Sequence, residues 1–175
     1  NQNAIYLEWF LDELAHETGQ DSLGLHRKLM KQPPEALAVL ETVAAKSGWG
    51  KSDGLSRGLA VCKAFGSYVA ACAEVTVTDG KLKMHRIVAA TDPGYAVNPQ
   101  QIEAQVFGSF AYGLSAMLYG ECTVKDGQIE QENFHTYPSI TIADMLHFEV
   151  TVLHSGGSWG GVGGPTIEVA PPAVF

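Results

Sequence analysis

The sequence predicts an α+β fold: a helical N-terminal unit followed by antiparallel hairpins packed on one long central helix. Two changes in pattern indicate it. Apolar residues recur at helical spacing over residues 1–49, and from residue 58 onward their spacing shortens towards two, as in a half-buried strand. A second stretch of helical spacing, after Pro99, is long enough to be a central buried helix.

Three helices are predicted in the N-terminal unit. The first runs over 4–16, with Asn3 as the residue that caps it. Asp21 can cap a second, shorter helix. Pro34 lies in the first turn of a third helix, which ends near Gly48.

A polar break over 50–54 divides the chain into a helical segment, 1–49, and an α+β subdomain, 55–175. From Gly58 to Thr91 the chain is rich in valine and alanine. Asp79-Gly80 interrupts this run as a two-residue hairpin turn would, because glycine tolerates a positive φ. We therefore expect two long antiparallel strands here.

The rest of the subdomain follows from its turn and cap residues. Asn98-Pro99 supplies a cap and a first-turn proline for the central helix, which ends at Gly120. Its small residues recur every three or four positions and would let another element approach closely. A second hairpin is predicted about Asp126-Gly127, and a last strand over 148–153. The whole indicates an antiparallel sheet on one long helix.

Composition excludes several functions. With 11 basic and 19 acidic residues, the chain has no electrostatic footprint for nucleic acid. No apolar run is long enough to span a bilayer, so the chain itself is predicted to be soluble. The three cysteines, Cys62, Cys72 and Cys122, suggest neither a disulfide framework nor a metal motif, and we expect buried thiols. Six histidines show no metal-binding spacing, so no metal ligands are assigned.

The stretch Gly156–Pro165 contains six glycines in ten residues, at a cost in backbone entropy that needs a reason. Close approach of the backbone to a ligand is one reason, and a flexible linker is the alternative. Trp159 and Val162 are unusual in a solvated tether. It is not a phosphate loop, because no lysine follows and the GxGxxG spacing fails at Thr166.

Two other features do not indicate a functional role from their residues alone. Asp92–Pro99 is, on its residues alone, a turn leading into a helix cap. Gln105 is a polar residue in an otherwise apolar helix, where a solvated face and a ligand contact explain it equally well.

Four stretches, in this order, resemble the molybdopterin-binding subunit of the xanthine dehydrogenase and aldehyde oxidase family, especially its isoquinoline 1-oxidoreductase beta-subunit branch, which includes aldehyde dehydrogenase large subunits. The first, FLDELAH with GQD after it, is similar to the family's FIDELA…GKDP. The second, DPGYAVNP at 92–99, is similar to DCGxAVNP. The third, between Gly113 and Pro138, contains GLSA, LYGE and NF. The fourth, GGVGGP at 160–165, is similar to GGVGEP. The order of the stretches matters as much as their content.

The resemblance implies that the chain is a carboxy-terminal portion of a longer subunit. It implies an oxidoreductase that oxidises an aldehyde or N-heterocycle with water as oxygen source, using a molybdopterin cofactor. The implied partners are the remainder of the large subunit, a small subunit that holds the iron–sulfur clusters, a cytochrome c subunit and a small-molecule substrate. A bacterial periplasmic or membrane-associated complex would be the setting.

The same resemblance implies site residues. Gln105 would contact the pterin, and the backbone of Gly161, Val162 and Gly163 would lie close to the molybdenum ligands. The family's base glutamate is replaced here by Gly164, which has no side chain to accept a proton. Losing such a base typically costs about 10² to 10⁴ in rate.

Three alternatives stay open at this point. A non-catalytic structural or interaction domain would keep the fold without the chemistry. A pterin-independent binding module would have a disordered glycine loop. In the active case, Glu168 would serve as the base if a helix begins at Pro165.

Overall fold

The computed structural model describes residues 2–144 and 147–175, which form a four-stranded sheet covered by helices on both faces. The helices are α1 (Gln2–Glu17), α2 (Ser22–Leu29), α3 (Pro34–Ser47), α4 (Pro99–Tyr119) and α5 (Gly164–Val174). The strands are β1 (Ser56–Ala64), β2 (Ser67–Thr78), β3 (Lys81–Asp92), β4 (Val124–Lys125), β5 (Gln128–Ile129) and β6 (His147–Val152). A 3₁₀ turn spans Ile142–Asp144. The predicted α+β class is confirmed.

The helix starts depend on side-chain caps. A carboxylate oxygen of Asp21 accepts a 2.8 Å hydrogen bond from the amide of Gly24. The carboxamide oxygen of Asn98 accepts one of 3.2 Å from the amide of Gln101. Each bond satisfies a first-turn amide that has no partner within its own helix. Asn3 was expected to cap α1 but lies inside it, so that prediction is wrong.

Three tight turns connect the hairpins. Asp79-Gly80 and Asp126-Gly127 lie at the predicted positions, with positive φ at all four residues. A third turn, Phe65-Gly66, has φ of 49° and 81° and divides the run Gly58–Thr91 into three strands instead of the predicted two. The sequence conceals this turn because phenylalanine rarely adopts a positive φ.

The sheet has the order β1-β2-β3-β6. Strands β1, β2 and β3 are antiparallel neighbours, whereas β6 runs parallel to β3, from Arg86 beside His147 to Thr91 beside Val152. The expectation of a purely antiparallel sheet is therefore wrong at its last strand. A parallel neighbour needs a long crossover connection, and the chain that contains α4 provides it.

Each face of the sheet buries its own set of side chains. Helices α4 and α5 cover one face, where Phe110 and Val169 pack on the small residues Ala71 and Ala73. Helices α2 and α3 cover the other face and share a core with β1, β2 and β3. The N-terminal helices thus pack directly on the sheet, while the division of the chain at residues 49 and 55 stays a prediction.

Helix α5 was not predicted as an element of its own, since Pro171 and Pro172 lie inside it. It crosses α4 at Gly113, where an added Cβ would lie 3.1 Å from the Ala170 Cβ. The close approach expected of the small residues of α4 occurs at Gly113, whereas a Cβ on Gly108 would face open space.

A buried ion pair ties α1 to α2 and β1. One carboxylate oxygen of Glu8 lies 3.1 Å from Nε2 of His26 and accepts a 2.9 Å hydrogen bond from the amide of Val61. Glu8 and His26 are 3% and 1% exposed, so neither charge is hydrated. Pairing is what makes such burial tolerable.

None of the helices in the part of the chain that the structure describes is long and apolar enough to cross a membrane.

Candidate functional site

The two turn-rich stretches singled out in the sequence meet at one carboxylate. Oδ1 of Asp92 accepts hydrogen bonds from the amide of Gly94 at 2.9 Å, and from the amide and hydroxyl of Ser155 at 3.2 and 3.1 Å. Asp92 is 3% exposed. Because it accepts from both stretches, this carboxylate fixes the start of the glycine-rich loop beside the end of β3.

The loop stays in contact with the 92–95 turn beyond Ser155. Gly94 has φ of 77°, and a Cβ there would lie 2.3 Å from the carbonyl oxygen of Ser158. The rings of Tyr95 and Trp159 stack with centroids 5.5 Å apart. The amide of Gly160 donates to the carbonyl of Pro93 at 2.9 Å. A loop held at so many points is not a flexible linker.

The far side of the loop lies on the Phe65-Gly66 turn. The amide of Gly161 donates to the carbonyl of Phe65 at 2.9 Å, and the hydroxyl of Ser67 donates to the carbonyl of Gly161 at 2.5 Å. A Cβ on Gly160 would lie 2.1 Å from the Ser67 hydroxyl oxygen. Only glycine fits at this contact, which explains part of the glycine content.

Helix α4 lies on a third side of the glycine-rich loop. A shallow depression of about 300 Å³ separates it from the start of α5. It is lined by Gln105, Gly108, Ser109, Tyr112, Gly163, Gly164 and Ile167. A Cβ on Gly163 would lie 2.8 Å from Nε2 of Gln105 and 3.6 Å from the hydroxyl oxygen of Ser109. The structure therefore brings Gln105, Gly163 and Gly164, three of the predicted site residues, to the same depression, whereas Gly161 and Val162 do not line it.

The predicted residues differ in what they offer a ligand. Both backbone polar groups of Gly161 are engaged by the hairpin turn. Within the described residues, the Gln105 carboxamide and the amides of Val162 and Gly163 have no hydrogen-bond partner. The Val162 side chain packs on the core, which accounts for an apolar residue in a glycine loop. Free donors and an acceptor thus come from Gln105, Val162 and Gly163.

Gly164 begins α5, and its missing side chain is replaced in space by an aromatic ring. A Cβ on Gly164 would lie 2.7 Å from Cε2 and 2.9 Å from Cδ2 of Phe65. A carboxylate at this position would project towards that ring.

Glu168 was expected to serve as the base if a helix begins at Pro165. Helix α5 begins one residue earlier, at Gly164, so this condition is met. Glu168 is buried, however, and lines a separate groove with Glu8 and Cys62. Burial raises the pKa of the Cys62 thiol, and the neighbouring carboxylate of Glu168 raises it further. In the described part of the chain, no residue lines both this groove and the Gln105 depression.

Sequence reasoning missed Ser109 and Phe65. Ser109 is 5% exposed and its hydroxyl donates to the carbonyl of Gln105 at 2.7 Å. Its position four residues after Gln105, on the same helix face, was an available signal. Phe65 had none, because its role depends on a contact across 99 residues of chain. No cluster of three potential metal ligands occurs within 2–144 and 147–175.

A sequence profile of the molybdopterin cofactor-binding domain matches residues 38–146, more than half of the chain. The chain belongs to this family. The match includes Gln105 and the 92–99 turn, and it ends before the glycine loop. The predicted resemblance is confirmed, and with it molybdopterin as the cofactor that this type of domain binds.

Two relatives cover nearly all of the chain. It is 26% identical over 162 residues to isoquinoline 1-oxidoreductase subunit beta of Brevundimonas diminuta, covering 89% of this chain and 21% of that protein. It is also 26% identical over 191 residues to membrane-bound aldehyde dehydrogenase (pyrroloquinoline-quinone) of Gluconacetobacter polyoxogenes, covering 96% and 25%. The chain therefore spans about a quarter or less of the curated relatives it matches.

Solved structures share the fold. Quinoline 2-oxidoreductase from Pseudomonas putida 86 superposes with a TM-score of 0.56 at 23% identity, over 62% of this chain and 15% of that one. Reconstituted CO dehydrogenase from Oligotropha carboxidovorans gives 0.53 at 21% identity, over 61% and 14%. These similarities concern the fold alone.

Proposed function

We propose that this chain is part of a molybdenum hydroxylase that oxidises an aldehyde or N-heterocycle with water as oxygen source, and that it forms one wall of the molybdopterin site. The observation that carries the proposal is the depression in which the unpaired carboxamide of Gln105 faces Gly163. The chain's membership of a family that binds molybdopterin supports the assignment.

The residues present fit such a group. A carboxamide offers both a donor and an acceptor, as a pterin ring edge requires. The free amides of Val162 and Gly163 precede α5, and the start of a helix favours negatively charged ligand atoms. When bound, the cofactor supplies the redox chemistry of substrate hydroxylation. The chain's own contribution is to position that group between α4 and the glycine loop.

A second candidate, a non-catalytic domain that retains the fold, has a specific observation in its favour. Gly164 has no proton acceptor, and the ring of Phe65 stands where a side chain at 164 would project. Glu168, the other carboxylate considered, faces a different groove. On this proposal the domain binds the cofactor but does not turn over.

Partners belong to the proposal as well. The remainder of the large subunit, a small iron–sulfur subunit and a cytochrome c subunit would complete the enzyme. The name of the Gluconacetobacter relative includes "membrane-bound". This supports a periplasmic or membrane-associated complex as the setting.

To test the proposal, the chain is expressed within its full-length subunit, together with the iron–sulfur subunit. Molybdenum content and aldehyde-dependent dye reduction are then measured. Gln105→Ala should lower molybdenum content, whereas Gln101→Ala, an exposed glutamine one turn earlier, should not. Molybdenum content that is equal in both variants, or absent throughout, would refute the site.

Gly164→Glu separates the two candidates. Turnover only in the Gly164→Glu variant, with molybdenum in both proteins, identifies the natural chain as non-catalytic. Turnover in both proteins identifies an active enzyme whose proton acceptor is another group.

A further inference from the structure

Helix α1 turns its largest apolar side chains away from the protein. The residues that it buries are Glu8, Leu11 and Ala15. Tyr6, Phe10 and Leu14 recur at every fourth position, so they lie along one side of the helix, and they are 65%, 60% and 37% exposed. A surface helix normally directs such an apolar stripe towards the core. We call Tyr6, Phe10 and Leu14 the outer stripe of α1.

Acidic side chains flank the outer stripe. Glu13 and Glu17 each follow a stripe residue, Phe10 or Leu14, by three positions, which places them on the adjacent row of the helix surface. Both are exposed, and among the described residues neither forms an ion pair. Apolar surface bordered by uncompensated charge is the composition of an interface whose partner supplies the opposite charge.

A depression of about 740 Å³ adjoins these acids. It is lined by Trp9, Asp12, Glu13, His16, Glu17 and Phe175. Aromatic rings and carboxylates together suit an arginine or lysine side chain, which can lie over a ring and pair with an acid. Because Glu13 and Glu17 border both the outer stripe and the depression, one partner can occupy the two together.

The charge of this face discriminates between its possible occupants. A second copy of the chain, docked through the same face, would bring like charges together, which is unfavourable. An anionic lipid surface attracts lysine and arginine and would repel these acids. A protein surface with apolar and basic side chains satisfies both the stripe and the acids. The chain spans 21% and 25% of its two relatives, so most of a subunit of that length lies outside it and can provide such a surface.

We propose that the outer stripe of α1, with Glu13 and Glu17, is the surface on which the remainder of the large subunit docks, through an apolar segment that carries basic side chains. The inference rests on the proposed function, which makes this chain part of a longer subunit. In the described part of the chain, no residue lines both the α1 depression and the Gln105 depression. Docking can therefore be measured independently of the cofactor site.

Hydroxyl-radical labelling of the full-length subunit, read by mass spectrometry, tests the docking without any substitution. The labelling of Phe10 in the folded subunit is divided by its labelling in the urea-unfolded subunit. Phe110, which is 1% exposed, gives the same ratio for a buried phenylalanine. We expect Phe10 to lose nearly all of its labelling on folding, as Phe110 does. A Phe10 ratio closer to one than to the Phe110 ratio would overturn the proposal.

Charge reversal tests whether the partner surface is basic. Glu13→Lys combined with Glu17→Lys should raise the Phe10 ratio well above that of Phe110, because the new lysines repel basic side chains. Glu121→Lys combined with Glu132→Lys is the matched control, since it replaces two exposed acids outside α1 and changes the net charge equally. The control should leave Phe10 protected. Unchanged protection in the α1 variant, or equal release in the control, would contradict a basic partner.

The same labelling identifies the other occupants. Protection of Phe10 that is lost when the subunit is diluted would identify a second copy. Protection that appears only when phosphatidylglycerol vesicles are added would identify a lipid surface. Either result overturns the proposal.

Molybdenum content of the same subunit keeps the two proposals apart. A protected Phe10 in a subunit without molybdenum contradicts the cofactor site only. A labelled Phe10 in a subunit with full molybdenum content contradicts the docking surface only.

Discussion

The side-chain nitrogen of Gln105 lies 2.8 Å from the point at which a Cβ on Gly163 would stand. Helix α4 and the glycine loop are thus already in contact, and only a residue without a side chain leaves the carboxamide where it is. The backbone of Gly163 itself, with φ of −90°, would accept any residue. The constraint at this position comes from Gln105 and not from the chain conformation.

Gly163→Ala should therefore separate stability from cofactor retention. Gln105 is exposed and can move, so the free energy of unfolding should change by less than about 1 kcal/mol. The displaced carboxamide should lower molybdenum content in the full subunit by half or more. Gly157→Ala is the control, because the nearest atom to its Cβ would be 3.7 Å away. A Gly163→Ala protein with full molybdenum content would argue against Gln105 as a contact.

Asp92→Ala should destabilise the chain by about 3 kcal/mol, because it removes the acceptor of the buried Gly94 amide and of both hydrogen bonds from Ser155. Ser155→Ala removes only the hydroxyl bond and should cost about 1 kcal/mol. Urea unfolding measures both. Similar losses for the two variants would mean that the backbone amides of Gly94 and Ser155 find other partners.

The Glu8–His26 pair should make stability depend on pH. Burial lowers the pKa of His26, but the hydrogen bond and charge of Glu8 outweigh it, so the pKa stands above its ordinary value. The stabilisation is then fully present below about pH 6.5, the ordinary value, and is lost as pH rises through the folded-state pKa. The free energy of unfolding should therefore fall as the pH is raised from 6 to 9.

His26→Gln should flatten that profile, whereas His16→Gln, at an exposed position of α1, should leave it unchanged. A slope that survives His26→Gln would assign the pH dependence to another group.

The thiols should react very unequally. Burial raises the pKa of the Cys72 thiol to about 11 and raises that of Cys62 as well. Cys122 is exposed, contrary to the prediction of three buried thiols. At pH 8 a disulfide reagent should modify one thiol per folded chain rapidly and all three after unfolding. Cys122→Ser should abolish the rapid phase, and a rapid phase that persists would locate it at a buried cysteine.

Local signals explain which elements were predictable. Asn98, Pro99 and Gly120 fix the ends of α4 by cap and proline chemistry that needs no tertiary information. The Asp-Gly turns follow from conformational preference alone. The last strand was predicted at nearly its observed position. Its parallel direction depends on the end of β3 at which the crossover through α4 returns to the sheet.

The candidate site was predictable only in part. Gln105 and the glycine loop were found as motifs, but their meeting depends on contacts far apart in the chain. Asp92 binds Ser155 across 63 residues, and Phe65 meets Gly164 across 99. Neither pair has a local pattern, and Phe65-Gly66 violates the usual composition of a tight turn.

The parallel placement of β6 has a consequence for the order of folding. Strands β1 to β3 pair through tight turns and can form early, whereas β6 reaches β3 only after the long α4 crossover has closed, at a higher entropic cost. The glycine loop and α5 follow β6 along the chain. We therefore expect the glycine loop and α5 to be the last region to assemble, so that a ligand bound there would stabilise only the completely folded chain.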